Sequence, residues 1–262
     1  MTGTFDIHAR LSEALHDRAE AWRFVADFAA HWRQPLQPGD GWSAAEVEAA
    51  ERRLGLVLPT ALREAHLLLG HRTDLTSNHD RLLGPDELAV VDGALVYRVE
   101  NQGAASWGVL LEDLDRDDPG TVMRADLADK TQERWEPWES SLTVACVEMV
   151  MSEVVLFPDG FTDFLEVDGE EVAPGEFLQE LPRVGRGMRW FAGEDVLLRE
   201  FDGFCLNVRA RTEEALDRMR EVVPGDWSEG RAGDFPPRGR RRSAFEVRRS
   251  LLPGSGRGRG SG

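Results

Sequence analysis

The chain has 262 residues, 41% of them hydrophobic and 30% charged, which is enough apolar mass for one large domain or two small ones. No apolar run approaches the roughly 18 residues that a bilayer-spanning helix needs, and MTGTFDIHARLSEALHDR lacks the basic flank and apolar block of a secretory signal. The net charge of −17 is unevenly placed: residues 231–262 hold nine arginines against Asp234 and Glu246, a net +7, so residues 1–230 carry −24. A body this acidic disfavours nucleic acid and anionic membrane and suits a basic protein partner, although acidity also serves solubility alone. Two cysteines far apart, Cys146 and Cys205, point to a reducing cytoplasm.

In chain order, residues 6–33 read as one helix. Leu11, Leu15, Trp22, Val25, Phe28, Ala29 and Trp32 recur on one stripe, and QPLQPGDG ends it. Ser43 and Glu46 form a capping box before a helix that buries Val47, Ala50 and Leu54. Gly55 suits the C-terminal cap of that helix and Pro59 the entry to the next. Leu56 and Leu58 then lie buried at the corner between two helices. The next helix faces Leu62, Ala65, His66 and Leu69 inward, with His66 a core residue holding a satisfied hydrogen bond, and Gly70 ends it.

The middle turns to strands: ALVYRVE (94–100) with Leu95, Tyr97 and Val99 on one face, SWGVLLED (106–113), and TVMRAD (121–126). Residues 141–157 are apolar enough for a buried helix. VLLREFDGFCLNVRA (196–210) is a hairpin turning at Asp202-Gly203, and Thr212 caps a closing helix. From Pro224 onward order fades, and the Arg/Gly-rich end reads as disordered.

The pattern of Ser43, Val47, Glu51, Leu54, Gly55, Leu58, Pro59, Leu62 and Gly70 resembles the first motif of the SUKH superfamily, in its Smi/Knr branch of cell-wall-regulator-like proteins. A second motif is similar around Trp107, VLLEDLDRD and Asp118-Pro119-Gly120-Thr121-Val122. There Gly120 replaces the second proline and one residue is inserted before Val122. The resemblance covers about 40–225. It implies an α+β fold: N-terminal helices on a central, mostly antiparallel sheet, then a closing hairpin and a C-terminal helix. The chain divides accordingly into a helical extension (1–40), the SUKH-like domain (41–225) and a disordered tail (226–262). In the motif Glu51, Gly55, Leu58, Pro59, Trp107 and Pro119 would be structural. Bacterial members resemble immunity proteins that bind and neutralise a toxin in the cytoplasm; fungal members act as intracellular binding hubs. The resemblance implies no catalysis.

Four constellations bear on chemistry. Asp113, Asp115 and Asp117 have the one-three-five spacing of a calcium loop, but Asp118 and Arg124 stand where Gly and Glu are required, so an EF-hand is excluded. With Asp118 they form a solvated acidic turn and the sharpest local candidate for meeting a cationic partner. His71, Asp74, His79 and Asp80 could ligate zinc, but their spacing fits no zinc pattern and the segment reads as a polar surface loop. Trp135 and Trp138 are a packing corner or, if exposed, anchors for a partner. The arginine tail could touch nucleic acid weakly but lacks interleaved aromatics. No nucleophile signature, phosphate loop or dinucleotide fingerprint is present, so no catalytic, cofactor or metal residue is expected. The sequence thus favours a binding protein that occludes a basic toxin domain. A standalone regulatory scaffold is the alternative, and an enzyme with an unrecognised site the third.

Overall fold

The computed structural model describes residues 5–167 and 177–228. The expected disordered tail lies outside the described residues from 229 onward. Its first residues are docked: Trp227 Nε1 donates to the Val223 carbonyl at 2.8 Å and the Ser228 amide to that of Phe164 at 3.1 Å.

The stretch read as one helix is two, α1 (Ile7–Ala14) and α2 (Arg18–Trp32). Asp17 makes the break. Its backbone is extended (φ −139°), and its carboxylate accepts the Glu20 amide at 3.0 Å as an N-cap. Leu11, Phe24 and Phe28 are fully buried and share one core with the helices and strands that follow.

The capping box of Ser43 and Glu46 opens α3 (Ala44–Leu54), and Gly55 ends it in the left-handed region at φ 69°. Pro59 leads into α4 (Thr60–Leu69). Leu58 is buried between them, and its amide donates to Glu51 Oε1 at 2.9 Å. Glu51 Oε2 accepts from Arg63 at 2.6 Å. One carboxylate therefore ties the end of α3 to the corner and to α4. Leu56 is half-buried, whereas Val57 points out, 73% exposed.

Beyond α4 come α5 (Thr73–Thr76), β1 (Arg81–Leu82), β2 (Ala89–Val91), β3 (Ala94–Val99), β4 (Ala105–Leu110), a 3-10 turn (Leu111–Asp113), β5 (Val122–Ala125) and β6 (Glu136–Pro137). Then α6 (Leu142–Val155) is followed by β7 (Phe161–Glu166), β8 (Gln179–Glu180), β9 (Met188–Gly193), β10 (Val196–Phe201), β11 (Cys205–Ala210) and α7 (Glu213–Val222). The fold is α+β, and every strand pair is antiparallel. The strands divide into two sheets. One runs β1-β3-β4-β5-β6 with β2 beside β3; the other runs β7-β11-β10-β9-β8.

Every residue of α6 is buried, because helices and strands cover it on all sides. It packs against α2, α4 and α5, and against β10 and β11 of the second sheet. The second sheet alternates as a two-faced sheet must. Trp190, Ala192 and Leu197 join the main core, while Phe191, Val196, Leu198, Leu206 and Val208 face a smaller core under α7. Asn207 and Arg209 are the polar alternates of β11, and they too are buried, on the α6 side. Arg209 Nη1 donates to the carbonyls of Val154, Phe157 and Asp159 at 3.2–3.3 Å, closing the C-terminal end of α6.

Candidate functional site

The start of the acidic turn and Trp135, one part of each set expected to meet a partner, come together at the β2–β3 hairpin. Asp92 and Gly93 turn it, both with positive φ (44° and 82°), as a tight hairpin between short strands requires. The Leu111 amide donates to the Gly93 carbonyl at 2.9 Å, so the acidic turn leaves from the hairpin tip. Trp135 Nε1, just before β6, donates to the Val91 carbonyl at 3.3 Å. Val90 and Leu111, each 43% exposed, lie at this end of the sheet, with Asp92, Glu112 and Asp115 exposed beside them. Arg124 pairs with Asp92 and lies over the Trp135 ring at 5.4 Å.

The four aspartates of the turn do different work. Asp113 pairs with Arg116 at 3.2 Å, and Asp115 is exposed. Asp117 accepts from the Thr60 hydroxyl, and its carbonyl accepts the Ala61 amide at 2.9 Å. Asp118 Oδ1 accepts the Thr143 amide at 2.9 Å in the first turn of α6. Asp117 and Asp118 thus pin the turn to the N-termini of α4 and α6, where carboxylates are favoured. Pro119 is buried behind them. Trp138 separates from Trp135: it packs edge-on against Trp107 with ring centroids 5.9 Å apart. Its Nε1 is buried without a hydrogen-bond partner among the described residues.

A second charged cluster lies inside the molecule, and the sequence reading missed it. The bulge in β3 between Val96 and Arg98 interrupts the expected alternation, so Val96 and Arg98 are buried as well as Leu95 and Tyr97. Arg98 Nη1 donates to Glu148 Oε2 at 2.9 Å, and Nη2 to Asp80 Oδ2 at 3.1 Å and Glu153 Oε1 at 3.3 Å. Its guanidinium stacks 4.7 Å above Trp107, which fixes the fork from behind. Glu153 also binds backbone: Oε2 accepts the amides of Asn78 (2.8 Å) and His79 (2.5 Å), and Oε1 that of Asp80 (3.0 Å). Arg199 of β10 is buried nearby, close enough to Glu148 and Asp80 to interact with both charges. The segment expected as a polar surface loop at 71–80 is therefore only partly one. Leu75, Thr76 and Asp80 are buried in it because α6 draws them in.

Burial dominates the protonation of this cluster. It pushes the Glu153 carboxyl up to about 7 against the pull of Arg98, and it raises Asp80 against the same pull. Glu139 rises to about 7 through burial and the nearby Glu148 charge. Burial first works against the Arg98 charge, but Glu148, Asp80 and Glu153 outweigh it and the guanidinium is held protonated. Cys146 has its thiol pushed up to about 12 by burial, the mark of an inert core cysteine. His66 departs from expectation: it is fully buried, and neither ring nitrogen has a partner among the described residues. Burial lowers its pKa to about 4, so the imidazole is neutral.

The signal for the inner cluster was present in the sequence. Glu148 and Glu153 interrupt an apolar run, and Arg98 and Arg199 interrupt strand patterns. A charge within a buried pattern implies a buried counter-charge. No known family, curated protein or solved structure matches this chain. Among the described residues no helix is long and apolar enough to cross a membrane.

Proposed function

We propose that this chain binds a basic protein through the surface around the β2–β3 hairpin and acts by covering it. One observation carries the reading. Exposed Val90 and Leu111 and the Trp135 edge share one end of the sheet with Asp92, Glu112, Asp113 and Asp115, on a body of −24. Apolar anchors ringed by like charges suit a partner of opposite charge: the field speeds encounter, and the apolar groups then slow release. The inner carboxylates support a non-catalytic reading, because they are engaged by Arg98 and backbone amides in the core. Together with the resemblance of the Ser43–Gly70 pattern to the SUKH first motif, this favours an immunity protein that occludes a toxin domain in the cytoplasm.

The test is co-purification of the untagged chain from its own cells, followed by cross-linking to map the footprint of the partner that elutes with it. A basic partner cross-linked around Asp92, Glu112 and Asp115 is expected. An acidic partner, or a footprint confined to the α7 side, overturns the reading.

A further inference from the structure

His79, Asp80 and Glu100 come together where the chain leaving α5 meets the β3–β4 turn. Each offers one ligand atom, and the three atoms lie within 4.8 Å of one another. His79 Nε2 stands 3.9 Å from Asp80 Oδ1. Ligands bound to zinc at about 2.1 Å in a tetrahedron sit about 3.4 Å apart, so closing the set needs shifts of an ångström or so.

A second, independent observation concerns Asp80 itself. Asp80 is 91% buried, at 9% relative exposure, and its Oδ1 has no hydrogen-bond partner among the described residues. The Asn101 amide lies near enough to favour the charged carboxylate, but it does not complete a hydrogen bond to Oδ1. An unbonded carboxylate oxygen in the core is costly. Asp80 Oδ2 is held by Arg98, and the Asp80 and His79 amides are held by Glu153, so Oδ1 is presented on a fixed backbone. Glu100 is fixed as well, its Oε2 accepting the amides of Gln102 (2.8 Å) and Ala104 (3.0 Å).

We propose that His79, Asp80 and Glu100 bind one divalent transition-metal ion, with zinc the preferred species. One imidazole and two carboxylates suit zinc better than calcium, which seeks six to eight oxygens. Asn101 lies against His79 Nδ1 at 3.3 Å. With its amide oxygen turned to that nitrogen it accepts Nδ1–H, and Nε2, which faces Asp80 Oδ1 at 3.9 Å, becomes the ligating nitrogen, the usual outer support of a ligating histidine. The ion ties the segment after α5 to the β3–β4 turn, across the edge of the first sheet. A fourth position stays open on the side where His79 reaches solvent.

The experiment uses the full chain, stripped with chelator and titrated with zinc chloride by calorimetry, with cobalt chloride as a spectroscopic probe. One zinc per chain is expected, with a Kd in the micromolar range or tighter, a rise of several degrees in Tm and visible cobalt bands. His79→Ala and Glu100→Gln should each weaken zinc at least tenfold. Neither should unfold the chain, since His79 is partly exposed and a glutamine oxygen still accepts the two amides. Asp80→Asn is avoided because Arg98 leans on the carboxylate. His71→Ala, an exposed histidine outside the cluster, should change nothing. Absence of zinc binding in the unsubstituted chain, or binding undiminished by both His79→Ala and Glu100→Gln, overturns the proposal.

Discussion

Two groups of carboxylates lie within the same fold and obey opposite rules. The turn at 112–118 keeps much of its charge in water, where it is screened over about 8 Å at physiological ionic strength. The inner group, Asp80, Glu148 and Glu153, has given up water and shares the Arg98 guanidinium, with Arg199 nearby. The outer group can therefore change how fast a partner arrives without changing how well the chain folds. The inner group can do the reverse. Where a carboxylate sits, more than how many there are, decides which link in the chain from sequence to function it serves.

The sharpest way to break this contrast is Arg98→Leu. It removes the shared cation and leaves three buried carboxylates facing one another. Loss of one partner from a buried ionic network costs about 3–5 kcal/mol, against a typical domain stability of about 5–15 kcal/mol. Urea denaturation should show that loss, or no cooperative transition at all. A loss under about 1 kcal/mol would mean that water, and not Arg98, stabilises the inner carboxylates.

His66 gives a smaller, signed effect in the same core. Its folded pKa of about 4 lies below the unfolded value near 6.5, so the imidazole is neutral in both states at pH 7. As pH falls from 6.5 to 4 the unfolded chain takes up a proton that the folded chain refuses. Stability is lost across that window, by about 3 kcal/mol at its end. Glu139 and Glu153 act with the opposite sign. Their folded values near 7 lie above the unfolded carboxyl, so the stability they contribute is full below about 4.5 and is lost as pH rises through 7. His66→Met removes the first slope and leaves the second. The variant should gain on the wild type progressively below pH 6.5, in melts taken every half unit. It should also be no less stable at pH 7, since two unpaired ring nitrogens leave the core. A wild-type and variant difference that is flat with pH would show that His66 finds a proton acceptor in the folded state.

These core effects explain what could be read in advance. The capping box at Ser43, the stop at Gly55 and the start at Pro59 are local rules, settled by residues within four positions of one another. The apolar run of α6 declares burial by itself. The Arg98 network joins residues 18 to 55 positions apart, so periodicity shows only that each charge is out of place. The meeting of His79, Asp80 and Glu100 likewise depends on how the chain after α5 lies against the β3–β4 turn. At the outer site the composition of the acidic turn was legible. Its division into Asp117 and Asp118, which pin helices, and Asp113 and Asp115, which do not, was not, because it follows from where α4 and α6 begin.

That division sets the smallest and most specific prediction. Asp113→Asn with Asp115→Asn removes outward charge and spares the two residues that pin the turn. Such surface changes usually move stability by no more than about 0.5 kcal/mol, so the melting temperature should be nearly unchanged. Association with a basic partner should slow, and its dependence on salt should flatten, because fewer charges steer the encounter. Dissociation should change less, since rim charges act mainly on the on-rate. Leu111→Ser should do the opposite, speeding release while leaving the on-rate nearly intact, because Leu111 contributes apolar contact and no field. Surface plasmon resonance against the co-purified partner, at several salt concentrations, separates the two rates. Equal effects of both variants on dissociation, with an on-rate indifferent to salt, would remove the acidic turn from the encounter and leave the apolar edge around Val90 and Trp135 to account for binding alone.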